Sequence, residues 1–186
     1  MPKKKMVVTK EERKYIGLSG SIGYIASGDY IHDLIYMIEL NYFAPFHKQP
    51  LILSLSTGFY NTSEDKSLYS DVLRDLHLNF KLSVVPVLFN ILYTVPLDFP
   101  LRPYLGGGAG VFVSSLNYNY DNPPHGSGRI NDTGFGFSIR GGMSYGIQNG
   151  EIIGEYQFLL AKMKSIESVS GNIGGSSFLI GYRFVF

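Results

Sequence analysis

The chain contains no cysteine and no tryptophan. Without a thiol there is no disulfide framework, no thiolate zinc site and no cysteine nucleophile. No apolar run approaches the ~18–20 residues that a spanning helix needs. The longest candidates, such as residues 84–89, are short and interrupted by Pro86. Charge is scarce as well: 17% of residues are Asp, Glu, Lys or Arg and 45% are apolar, too lightly charged and too apolar for a disordered chain. The formal net charge of +1 is unevenly spread. Residues 1–14 hold six basic side chains and two acids, a balance of +4, so the remaining 172 residues carry −3. A basic body is the first requirement of a nucleic-acid surface, and this body is not basic.

What the chain has in quantity is glycine (22), tyrosine (14) and phenylalanine (13). Rings suit a pleated surface and glycine suits turns and close contacts, so strands are expected. At roughly 150 residues per domain, 186 residues make one domain with a tail. Residues 1–14 read as a flexible basic tail. Its basic start resembles that of a signal peptide, but only Met6, Val7 and Val8 follow as an apolar stretch, where about 7–15 residues are needed. The expectation is a mature form from which the signal peptide has been removed.

From Tyr15 onward the period is two, the mark of strands. Ile16, Leu18, Ile22 and Tyr24 alternate with Gly17, Ser19, Ser21 and Gly23. Tyr36, Ile38, Leu40 and Tyr42 alternate with Glu39 and Asn41, and Leu53, Leu55 and Phe59 with Ser54, Ser56 and Gly58. Residues 78–94 form a longer strand that opens with Leu78, Phe80 and Leu82 against Asn79, Lys81 and Ser83. A bulge is expected at Pro86, which cannot donate to a ladder. Residues 102–114 include five successive small residues, Gly106 to Gly110. Residues 134–147, 151–162 and 176–186 complete eight strands. The odd-numbered connections, 27–33, 62–76, 117–133 and 163–174, are mostly long and polar, whereas the even-numbered ones, 46–50, 96–101 and 148–150, are short. An up-and-down meander puts these two kinds of connection at opposite ends.

Eight alternating strands close into a small all-β antiparallel barrel, and side-chain size says which face is dry. The interior of such a barrel is only wide enough for side chains to fill. A ring of Phe, Tyr, Ile and Leu from every strand overfills it; Gly, Ser, Asn and Gln with a few charges fit. The bulky face therefore points outward, where it is too large for a soluble monomer and suits lipid. Strands of nine to thirteen residues match the length of a tilted membrane-spanning strand. By phase, Glu39, Lys81, Arg140, Glu155 and Arg183 fall on the inner face. They read either as a paired network that plugs the lumen or as the lining of a solute path. Tyr15, Tyr42, Tyr60, Tyr93, Tyr104, Tyr145 and Tyr182 fit either interfacial girdles or plain strand propensity.

The sequence resembles the small eight-stranded outer-membrane barrels of Gram-negative bacteria, the OmpA/OmpX/OmpW-like group. Phe178, Ile180, Tyr182, Phe184 and the terminal Phe186 occupy every second position, which resembles that family's C-terminal insertion signal. The segment from Arg102 through Pro103, Tyr104 and Gly106–Gly110 to Val111 resembles its "PY-x-G-x-G-x-G" strand. The resemblance covers residues 15–186. It implies an eight-stranded transmembrane barrel in the outer membrane, with termini and short turns in the periplasm and long loops outside. It also implies contact with outer-membrane lipid and lipopolysaccharide, and recognition by the barrel assembly machinery. A monomer without cofactor or metal is expected; a surface ligand is not readable.

Other chemistry is weakly encoded. Gly106–Gly110 lacks the following helix that a dinucleotide site needs. His32, His77 and His125 fall toward the loop end near Asp33, Asp75 and Ser127, and histidine, serine and acid can make an acyl-transfer site. His47 sits at the other end. No tight motif supports catalysis, so no catalytic residue is assigned. Glu64, Asp65, Asp71 and Asp75 lack calcium-loop spacing. Three readings follow: a non-enzymatic barrel with a structural or surface-interaction role, an OmpW-like channel for small or apolar solutes, and a lipid A-modifying enzyme. The first is the expectation.

Overall fold

The computed structural model describes residues 15–27, 31–44, 51–68, 76–97, 99–120, 126–162 and 173–186. The basic tail of residues 1–14 lies outside them. Eight strands follow one another: β1 (Ile16–Ser27), β2 (Ile31–Ala44), β3 (Leu51–Leu68), β4 (Leu76–Thr94), β5 (Leu101–Tyr120), β6 (Gly126–Ile147), β7 (Gly150–Ala161) and β8 (Ser176–Val185). Each pairs antiparallel with the next, and β8 pairs with β1, so the sheet closes on itself in chain order.

The register fixes the tilt. A line drawn straight across the ladder from Ile16 passes through Tyr42, Leu53, Ile91, Gly107, Ile139, Phe158 and Ser176 and returns to β1 at Ala26, ten residues further along. Ten residues of rise shared among eight strands spaced ~4.8 Å apart tilt each strand by about 40°. Each residue then climbs about 2.5 Å, and about ten residues cross the ~25 Å apolar band of a membrane barrel.

Alternation decides which side chains face out. Ile38, Leu55, Phe89, Phe137, Ile139 and Ile180, drawn from five strands, are all more than half exposed. Their chain neighbours Glu39, Ser54, Ser56, Asn90, Ser138, Arg140 and Leu179 are buried. A belt of this kind exposed on every side is stable only in hydrocarbon, where closure also leaves no unpaired edge. Within the belt, Tyr156 has its hydroxyl satisfied by Ser176 Oγ at 2.8 Å, and its ring packs on Phe178. Arg183 and the four residues Phe178, Ile180, Tyr182 and Phe184 alternate along β8, with the arginine inward and the aromatic and aliphatic set outward; Phe186 is also exposed.

Two expectations are corrected. Residues 62–76 and 117–133 are not mostly loop: β3 runs to Leu68, β4 starts at Leu76, β5 runs to Tyr120 and β6 starts at Gly126. Pairing of β2 with β3 ends at Ile35↔Tyr60, and pairing of β6 with β7 begins at Gly136. β3–β6 therefore continue as a four-stranded sheet beyond the closed barrel. Nor does Pro86 make a bulge. The ladder between β3 and β4 lapses at Val85 and Pro86 and resumes in the same register, from Thr57↔Val87 to Tyr60↔Val84. A missing donor is tolerated there without an inserted residue, because Pro86 keeps its place opposite Phe112 on β5.

Candidate functional site

The lumen is filled in two layers. Toward the short-turn end it is polar. Toward the loop end it is apolar, packed with Ile25, Ile35, Met37, Tyr60, Leu88, Phe112 and Leu159 among others. Ile173, between β7 and β8, belongs to this apolar layer, and the Tyr60 hydroxyl donates to its carbonyl. A small apolar floor of Ile52, Leu92 and Tyr104, with Phe43 against it, underlies the polar layer.

The polar layer is an ion-pair ladder. Arg140 projects from β6 across the lumen to Glu39 on β2, its Nη2 2.5 Å from Glu39 Oε2. These two strands stand opposite each other in the ring of eight. Arg140 also makes a two-pronged contact with Glu155 of β7, Nε to Oε1 and Nη2 to Oε2, both 2.9 Å. Arg183 of β8 donates through Nη1 to Glu151 Oε2 at 3.1 Å and holds Nη2 3.8 Å from Glu39 Oε1. Glu151 in turn faces Arg102 of β5 at 3.7 Å. Read upward from the turn end, the charges alternate: Arg102, Glu151, Arg183, Glu39, Arg140, Glu155. Three acids meet three bases, so the set is neutral. That is what allows charges to remain so far from water, since an unpaired one costs several kcal/mol.

Neutral groups complete the net. Asn90 of β4 donates to Ser56 Oγ at 3.2 Å and Ser54 Oγ at 3.4 Å, and accepts from the Ser138 hydroxyl at 2.6 Å. Asn41 donates to Ser19 Oγ of β1 at 3.2 Å. All eight strands contribute a side chain to this layer, which ties the wall together from within. The Arg183 guanidinium lies 5.8 Å from the Phe43 ring centre and 6.0 Å from that of Tyr104, so its unpaired edges rest on aromatic faces. Beneath it, a cavity of about 360 Å³ opens at the turn end between Phe43, Ile52, Val95, Leu97, Arg102 and Glu151.

Tyr104 shows why glycine is required beside the ladder. It pairs with Gly142, and Gly142 pairs with Glu155. The tyrosine ring lies over the glycine and its hydroxyl donates to Glu155 Oε2 at 2.9 Å. A Cβ at Gly142 would sit 2.7 Å from the ring's Cζ. Gly142→Val is therefore expected to evict the ring and break that hydrogen bond, costing about 1–3 kcal/mol; urea unfolding in lipid vesicles measures it, and an unchanged midpoint would contradict the packing described.

Gln157 is fully buried at the top of the polar layer, and among the described residues neither its amide nitrogen nor its amide oxygen has a hydrogen-bond partner. Replacing it with methionine of similar length is expected to raise stability by about 1–3 kcal/mol, because the desolvation of an unpaired amide is removed. A fall in the unfolding midpoint would oppose this.

Of the residues that the sequence assigns to the lumen, Glu39, Arg140, Glu155 and Arg183 come together. Lys81 does not. It is exposed on the outer face of β4, and Leu82 and Val84 point inward in its place. Two members of the ladder were missed. Glu151 shares the inward phase of Glu155, but the apolar Ile153 between them hides the polar face. Arg102 lies on the glycine-rich strand, where alternation is hard to phase. Toward the loop end, His32 is exposed and stacks on Tyr24 at 6.3 Å, while the Asp33 carboxylate accepts from the N–H of Leu34 at 2.6 Å. His47, Asp71, Asp75 and His125 lie outside the described residues. Among the described residues, no group of three or more His, Asp or Glu is placed to hold a metal ion.

A closed eight-stranded barrel with a lipid-facing exterior and a charge-paired lumen defines the class: a small transmembrane β-barrel. Comparison with solved structures agrees. The chain is similar in fold to the outer membrane protein OprG from Pseudomonas aeruginosa (13% identity, TM-score 0.57, covering 94% of this chain and 97% of that one). It is also similar to Neisserial surface protein A (17% identity, TM-score 0.56, 92% and 96%) and to Ail, the attachment invasion locus protein of Yersinia pestis (11% identity, TM-score 0.51, 93% and 97%). The architecture is that of the eight-stranded outer-membrane barrels. No family model and no curated protein matches the sequence.

Proposed function

We propose that this protein is a non-enzymatic outer-membrane barrel with a structural and surface-interaction role. In this reading the short turns lie in the periplasm, the β3–β6 sheet stands above the outer leaflet, and Phe178, Ile180, Tyr182, Phe184 and Phe186 form the signal read by the assembly machinery. The observation that carries it is the double closure of the lumen: Arg140 bridges opposite walls to Glu39, and an apolar layer lies over that bridge. A hydrated ion meets a paired salt bridge and then a layer with nothing to hydrogen-bond, and both oppose conduction.

Planar-bilayer recording of the refolded protein tests it. The expected result is an absence of reproducible single-channel steps. Steps that vanish when Arg140 or Glu155 is replaced would overturn the reading in favour of transport. The apolar upper lumen favours one such alternative, the passage of small apolar solutes, and uptake of a fluorescent apolar probe into vesicles bearing the protein distinguishes it.

A further inference from the structure

The cavity at the turn end has two unlike halves. β5, β6, β7 and β8 supply a polar half: Arg102, Ser144, Glu151 and Arg183. β2, β3 and the turn after β4 supply an apolar half, in which Phe43, Ile52, Val95 and Leu97 stand out. That turn is fixed to the wall, since Val95 donates its N–H to the Pro103 carbonyl at 2.8 Å. The polar half carries a surplus of cationic donors. Two guanidiniums share one carboxylate, Glu151, so the described lining has one positive charge left over. Arg102 comes no nearer to Glu151 than 3.7 Å, and its side chain is 61% exposed. A charge-assisted hydrogen bond needs about 2.7–2.9 Å, so that contact leaves the donors of Arg102 unused. Arg183 is buried at the inner end, and neither its Nε nor its Nη2 has a hydrogen-bond partner among the described residues.

We propose that this cavity binds a short aliphatic monocarboxylic acid, with its carboxylate on the arginine side and its hydrocarbon body on Phe43, Ile52 and Leu97. Three features select that occupant. The surplus charge is a single one, and a guanidinium fork matches a carboxylate in shape as well as in sign. A phosphomonoester would set a second negative charge against Glu151. The opposite half offers contact area but few hydrogen-bonding groups, which suits methylenes. The apolar C-terminus of a polypeptide carries the same carboxylate, but its amides would lie against that apolar half without partners. The volume, about 360 Å³, is at the small end of the roughly 300–1,000 Å³ usual for small-molecule sites. The cavity lies below both layers that close the lumen, so it is reached from the turn end while the barrel stays shut. In the orientation proposed above that end is periplasmic, and the binding itself does not depend on the orientation.

The test is titration of the refolded barrel in zwitterionic micelles at neutral pH, read by the amide NMR signals of the isotopically labelled protein. The probes are acetate, butanoate and hexanoate, with hexanol and hexylamine as uncharged and cationic matches. Hexanoate is expected to shift the signals of Ile52, Val95 and Ser144 saturably, while Phe137 and Ile180 on the lipid-facing belt stay in place. Affinity is expected to rise from acetate to hexanoate by up to about four-fold per methylene, the equivalent of burying each CH₂. Arg102→Gln, a change at an exposed side chain, is expected to fold like the parent by gel mobility and to bind hexanoate at least five-fold more weakly. Arg102→Lys, which keeps the charge, should recover part of that loss. Absence of saturable shifts at the cavity, equal binding of hexanol or hexylamine, affinity that does not grow with chain length, or an unchanged Arg102→Gln variant overturns the proposal. An N-acetylated dipeptide ending in leucine separates the two sources of the carboxylate: weaker binding than hexanoate supports the free acid, and tighter binding overturns it as the occupant.

Discussion

Arg140→Met will cost the folded barrel about 3–5 kcal/mol, the usual range for removing one partner of a buried pair. The guanidinium serves both Glu39 and Glu155, and each of those carboxylates is nearly fully buried. Methionine fills the space but leaves two negative charges facing each other across a narrow lumen. Urea titration in lipid vesicles, followed by the heat-dependent gel mobility of the folded barrel, reads the loss. A triple variant that adds Glu39→Gln and Glu155→Gln is expected to recover much of it, because the uncompensated charges go with the arginine. If the single variant unfolds at the parent midpoint, the ladder is not what holds the walls together.

Ile180→Arg should cost about 2–4 kcal/mol, the range for a cation near the middle of the apolar band. Ile180 is 63% exposed, on a strand whose alternate residues line the lumen. The informative contrast is Lys81→Glu, which also changes charge on the outer face but lies above the belt; its midpoint should barely move. Ser138→Thr, which keeps the hydroxyl that donates to Asn90, should also be tolerated. Equal penalties for Ile180→Arg and Lys81→Glu would mean that the boundary of the belt is misplaced.

That contrast explains what the sequence made legible and what it hid. Strands β1, β2, β7 and β8 end near the membrane boundary, and the rule of greasy residues outward reads their outer face, although Ile25, Ile35, Ile153, Leu159 and Leu179 face inward as well. β4 obeys two rules. Along its lower part Phe89 and Ile91 face lipid while Asn90 faces in. Along its upper part the outer medium is water, so Lys81 faces out and Leu82 faces in. The period of two never breaks, but its polarity reverses. Read with one rule, the reversal looks like a slip in phase at Pro86, and Lys81 is assigned to the wrong face. The same reversal made residues 117–133 look like loop, since Asn117, Asn119, Arg129 and Asn131 are polar and interleaved with Leu116, Tyr118 and Ile130. Glu39, Arg140, Glu155 and Arg183 were legible because each lies where lipid covers the outside and only the lumen can accept a charge. The apolar layer above them was not, because Ile25, Ile35 and Val84 stand among other apolar residues and carry no local sign of facing inward.

The placement of Arg140 opposite Glu39 has a kinetic consequence. The two residues lie 101 positions apart in the chain and stand on opposed staves, so no hairpin or partial sheet can bring them together. They meet only when the first and last staves join. Until then the charged side chains remain hydrated, and the half-assembled sheet carries water along its inner surface. The cross-brace thus behaves as a latch that engages at the end of assembly. Its loss should speed unfolding far more than it slows folding, as for any contact made after the rate-limiting step.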